Sequence, residues 1–108
     1  MLLTPFAADA DDALTKSFVA EYEKRYGETP NQFAADGYDV VYVLYNALTE
    51  SGCTPDMSAA DICAKLVDQI QKTTYTGLTG QNMTWSANGE VSKMPAAVVI
   101  QNGVYVSA

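Results

Sequence analysis

Histidine is absent, and cationic side chains are scarce. Against 13 Asp and Glu stand only 6 Lys and Arg, a formal net charge of −7. Without histidine the chain lacks both the commonest general base and the commonest metal ligand. Ser-His-Asp and Cys-His arrangements and His-containing zinc sites are thereby excluded within it. The shortage of Lys and Arg argues against nucleic acid as a partner, because such binding neutralises phosphates with clustered cations. It equally disfavours adhesion to an anionic membrane. No apolar run approaches the roughly 18–20 residues of a transmembrane helix. No basic segment precedes the acidic stretch Asp9, Asp11, Asp12, so no signal peptide is legible. Glycine-rich phosphate loops are missing. The two cysteines, Cys53 and Cys63, stand too far apart for a CxxC motif. What is present is 108 residues, 48% hydrophobic and 18% charged, a balance that belongs to one folded domain.

Three helices and several short strands are predicted. Met1–Thr4 is extended in character, with Thr4 biased toward β by Pro5. Asp11 or Asp12 caps a helix from about Ala13 to Tyr26, where Leu14, Phe18, Tyr22 and Tyr26 form one stripe and Gly27 is the stop. A second helix, from Asn31 or Gln32 to near Ser51-Gly52, carries Phe33, Tyr38, Val40, Val41, Val43, Leu44 and Leu48. So apolar a helix is expected to be covered on most sides, with Asp36, Asp39, Asn46 and Glu50 on a narrow polar strip. Ser58 starts the third helix, Asp61 completing a variant of the capping box, and Ile62, Leu66, Val67 and Ile70 recur at helical spacing. From Thr73 the chain turns to β-formers: Thr73–Thr76, the short strand Thr84–Ser86, and the hairpin Ala96–Gln101, Asn102-Gly103, Val104–Val106. These strands are few for the apolar helix faces, and Met1–Thr4 and the hairpin are edges awaiting a sheet. Either the chain oligomerises through them or it is cut from a larger protein.

Several residues could carry chemistry, each with a plainer reading beside it. A Cys53–Cys63 disulfide would close a short loop and contribute ~2–3 kcal/mol; otherwise both are free thiols, Cys63 simply lying on the apolar helix face. Asp9, Asp11 and Asp12 show no EF-hand spacing and read as a solvated helix start rather than a cation site. Asp36 and Asp39 share a helix side and suit acid/base work in a small acidic enzyme, or else form a polar strip toward solvent or a cleft. Tyr38, Tyr42 and Tyr45 make an aromatic stripe that suits packing under a neighbouring element. Trp85 suits a lid, a core or a stacking role.

Three segments carry a resemblance to a known family: Thr4-Pro5-Phe6 with Phe18-Val19-Ala20-Glu21-Tyr22 to Gly27 and Pro30; Ala34-Ala35-Asp36-Gly37-Tyr38-Asp39-Val40-Val41; and Thr79-Gly80 to Thr84-Trp85-Ser86-Ala87-Asn88-Gly89-Glu90. In this order and spacing they resemble the late part of type I solute-binding proteins of ABC transporters, in the branched-chain amino acid (leucine/isoleucine/valine-binding) group. The resemblance covers almost the whole chain but only about the last third of a family member.

It implies an α/β fold: a C-terminal fragment of a two-lobed, Rossmann-like (Venus-flytrap) binding protein, with three helices, short strands and a terminal β-hairpin. It places about 7–90 in the first lobe, and 1–6 and 95–108 as strands of the second. It implies a non-enzymatic, cofactor-free protein that captures an amino acid between its lobes and hands it to the membrane subunits of an ABC permease, outside the cytoplasm. Phe33 aligns where members place an aromatic against the ligand side chain, and Asp36, one turn on, faces the same cleft. A sensory receptor ectodomain of the same fold, and a standalone module or homo-oligomer assembling through its β-edges, are the alternatives.

Overall fold

A computed structural model describes residues 1–108. Its elements run β1 (Leu2–Thr4), α1 (Ala13–Tyr26), α2 (Gln32–Glu50), α3 (Ala59–Ile70), β2 (Ala96–Gln101) and β3 (Val104–Ser107). All three helices begin at side-chain caps that the sequence displays. The Asp12 carboxylate accepts from Thr15 N, and Asn31 Oδ1 from Ala34 N. Ser58 Oγ accepts from Asp61 N (3.1 Å) and donates to Asp61 Oδ2 (2.7 Å). Each cap satisfies an amide that the helix itself leaves without a partner. Gly27 ends α1 at φ 73°, donating its N–H to Glu23 O.

The core sits where β1 runs out and α1, α2 and the segment after α3 meet. Phe6, Ala35 and Leu78 are buried together, flanked by Phe18, Val19 and Tyr38. Phe18 takes Phe6 edge-on at 6.0 Å and Tyr38 at 5.1 Å, so aromatic contacts join α1 to α2. Residues 71–95, between α3 and β2, form no full strand. Thr73–Thr76 and Thr84–Ser86, expected as β, supply single bridges only, Tyr75↔Met83 and Trp85↔Val91.

β1, β2 and β3 form an antiparallel sheet in that order. Leu2 faces Val98 and Thr4 faces Ala96, while Val99 pairs with Val106. Asn102 (φ 52°) and Gly103 (φ 82°) make the hairpin turn with positive φ at both central positions, the twist a two-residue connection needs. The first strand, expected to await a partner outside the chain, therefore finds one inside it, Thr4 pairing with Ala96 across 92 positions of sequence. The outer edges of β1 and β3 stay open.

Burial corrects two further expectations. α2 is not covered on most sides: Val40, Val41, Leu44 and Tyr45 are exposed, while the helix is covered along the line of Ala35, Asp39, Val43 and Ala47. Its buried residues, Ala35, Asp39, Val43 and Ala47, lie four apart on one line. Asp39 is thus inside rather than on a solvated strip. The molecule is elongated, 51 × 30 × 20 Å, with a radius of gyration of 16.1 Å. A compact chain of this length would have about 13 Å. Only 11 of 108 residues are buried, so much of the apolar surface remains uncovered. No helix is long and apolar enough to cross a membrane.

Candidate functional site

Polar side chains of α2 organise the region where helices and strands meet. The chain passes between them twice, at Thr4–Phe6 and at Val91–Ala96. Thr4 Oγ1 donates to Gln32 Oε1 (2.7 Å), and Lys93 Nζ donates to Asp36 Oδ1 (2.6 Å). Gln32 and Asp36 are one turn apart, so both passages are tied to the start of one helix. Phe33 lies between them in sequence and is 73% exposed, an uncovered aromatic ring in the first turn of the helix to which both segments are tied. Phe33 and Asp36 therefore share the start of α2; Asp36 is half-buried and already holds a cation.

One further turn along, Asp39 performs a different task. Its carboxylate accepts from Leu78 N (2.8 Å), Thr79 N (2.8 Å) and Thr79 Oγ1 (2.7 Å), at 4% exposure. A buried carboxylate is tolerable only with such donors around it. Gly77 leaves the room: a Cβ there would overlap the Asp39 carboxylate and the Tyr75 ring. Burial, and then the nearby Asp39 charge, push the Tyr75 phenol up to about 12. A hydrogen bond with Tyr42, and then burial, raise the Tyr38 phenol.

The clamped loop helps to shape two hollows. One, of about 350 Å³, is lined by Pro5, Asp12, Leu78, Thr79, Gln81 and Met94. The other, of about 290 Å³, is mainly apolar, with Val40, Leu44, Met83 and Trp85 in its walls beside Asp36 and Lys93. Phe33 lines neither.

The remaining candidates are dispersed. Asp9 accepts from Ser107 N and Ser107 Oγ (2.8 Å each), Asp11 pairs with Lys16, and Asp12 caps α1. No three acidic or thiol side chains converge as metal ligands do. Asp36 and Asp39 both border the second hollow but are engaged separately, one by Lys93 and one by the 78–79 donors. Cys53 and Cys63 are free thiols, not a bridge, and Cys53 Sγ lies 3.1 Å from Ser51 Oγ. Tyr42 and Tyr45 are exposed, and only Tyr38 of that stripe packs inward. Sequence reasoning missed the Asp39 clamp and Lys93. The first had a signal in the Tyr38-Asp39 and Thr79-Gly80 pairs; the second had only its isolation as the one cation after Lys72.

A family model described as periplasmic binding protein matches residues 1–103. No curated protein matches the chain. Among solved structures, one similar protein is a putative branched-chain amino acid ABC transporter from Rhodospirillum rubrum: 28% identity, TM-score 0.72, covering 99% of this chain and 30% of that one. Another is an ABC transporter substrate-binding protein from Desulfitobacterium hafniense in complex with Leu, at 20% identity and TM-score 0.76, over 95% of this chain and 29% of that one. A third is the solute binding protein of an ABC transporter from Rhodopseudomonas palustris BisB5 in complex with 3,4-dihydroxybenzoic acid, at 19% identity and TM-score 0.73, over 97% and 28%. The chain spans about 30% of the length of these proteins.

Proposed function

The chain belongs to the periplasmic binding protein family, and from that membership we propose that it is the C-terminal part of an ABC-transporter substrate-binding protein. The whole protein would capture an amino acid between two lobes, outside the cytoplasm, and deliver it to a membrane permease without covalent chemistry. In this reading residues of about 7–90 belong to the first lobe, and 1–6 and 95–108 to the second. Phe33 and Asp36 form part of the cleft wall.

The observation that carries the reading is the bare Phe33 ring at the start of α2, the helix turn whose Gln32 and Asp36 hold both segments that connect helices to strands. A large aromatic left 73% exposed at a junction suits an apolar solute side chain. The uncovered stripe on α2 and the open edges of β1 and β3 suit cover by the other roughly 70% of the relatives' length. Assembly with a second copy would cover them too, and would appear as concentration-dependent sedimentation.

The test is calorimetric titration of a full-length protein carrying this segment with a panel of amino acids. One amino acid should bind, and Phe33→Ala should weaken it by about tenfold, as loss of a buried aromatic contact does. Unchanged affinity in the variant would remove Phe33 from the site. Binding of an aromatic acid but of no amino acid would keep the family role and change the solute.

A further inference from the structure

We propose that Lys93 is a positioning residue: it latches the second connecting segment to α2 through Asp36 and so sets the orientation of the strands relative to the helices. Its bearing on solute capture rests on the reading above, because the orientation of the two groups of elements is what lobe closure changes.

Lys93 stands apart from the other cations. Lys16, Lys24, Arg25 and Lys72 each pair with an acid within five residues in sequence. Lys65 donates to Ser51 O. Lys93–Asp36 alone is an ion pair between distant parts of the chain, 57 residues apart. It is also the least exposed pair, with side chains 28% and 35% accessible against roughly half or more for every other partner. Partial burial weakens screening, so this pair outweighs a typical surface contact.

Position adds the second half. The strands and helices share little packed surface, and the sheet is held by its two connections and a few side-chain bonds. The first connection is fixed both by Phe6 in the core and by Thr4 on Gln32. The second has no buried side chain between Val91 and Ala97. Ser92 N donates to Thr84 O, while Met94 is largely exposed. Lys93 is the side chain that ties this segment to a helix. Without it, rotation of β2 and β3 about the connection is opposed only by the first tie and by the two hydrogen bonds from Ser107 to Asp9.

Hydrogen exchange on the 108-residue chain, without any solute, tests this. The Ser92 amide reports opening of the connection and the Thr79 amide reports the Asp39-clamped core. Lys93→Met should accelerate exchange at Ser92 by about three- to fivefold, the range a partly exposed ion pair supports, with Thr79 changed little. Asp36→Asn should do the same. Lys93→Met should add nothing in the Asp36→Asn background, and Lys93→Arg should restore the slow rate. Unchanged exchange at Ser92 would overturn the proposal. So would equal acceleration at Thr79, or an effect of Lys93→Met that persists without the Asp36 charge. Because no solute enters the assay, its failure leaves the solute-binding reading standing, and a failure to bind solute leaves the latch standing.

Discussion

Replacing Asp39 by Asn changes one atom in a place where the chain has arranged three donors. In the native state both carboxylate oxygens are used: Oδ1 takes Leu78 N, and Oδ2 takes Thr79 N and Thr79 Oγ1. An amide offers one oxygen. Set against Thr79, it keeps two bonds in weaker, uncharged form and turns its NH2 toward Leu78 N, where donor meets donor. A hydrogen bond to a charged group contributes about 1.5–3 kcal/mol, and an orphaned buried donor costs about 1–3 kcal/mol. Asp39→Asn should therefore destabilise by about 2–4 kcal/mol. In urea, with a slope of about 1–2 kcal/mol/M for a chain of this size, the midpoint falls by roughly 2 M. Hydrogen exchange should localise the damage first at the Leu78 amide. Asp36→Asn is the control, since its pair is partly exposed and its loss costs at most about 1 kcal/mol. A fall for Asp39→Asn no larger than for Asp36→Asn would refute the clamp, and with it the account of why α2 buries an acid.

Four further expectations concern Gly77, Gly37, Tyr75 and the two thiols. Gly77→Ala should destabilise by about 1–3 kcal/mol in a thermal melt through overpacking, because its Cβ meets Asp39 and Tyr75. Gly37→Ala, in open space within α2, should instead stabilise by up to about 1 kcal/mol. Tyr75, raised to about 12, should be the late component when the seven tyrosines are titrated by phenolate absorbance. Since folding raises that group, its contribution to stability is complete below the unfolded value near 10 and is lost as pH climbs from there through about 12. Thiol titration of the native chain should count two free sulfhydryls, with the exposed Cys63 reacting before the half-buried Cys53. Fewer than one thiol per chain would mean that the two are bridged after all.

The amino-acid sequence by itself determined the local structure. Asp12, Asn31 and Ser58 cap the three helices, Gly27 stops the first, and Asn102-Gly103 turns the hairpin, because each signal acts over three or four residues. It also determined the family resemblance, carried by short motifs in order. Tertiary structure alone decided which of two acids, three residues apart on one helix, goes inside. Asp39 is buried because the Leu78 and Thr79 amides arrive 39 and 40 residues later with donors to spare, whereas Asp36 stays half-exposed and meets Lys93 from 57 residues away. Helical periodicity places both on one side and says nothing of what the chain brings against it. The partner of β1 was decided in the same way, since a three-residue strand acquires its pairing only when Ala96–Val98 are carried back to it. Whether Phe33, Val40 and Val41 are covered is likewise a tertiary matter: an apolar face states that it can be buried, and only the surrounding elements decide whether it is.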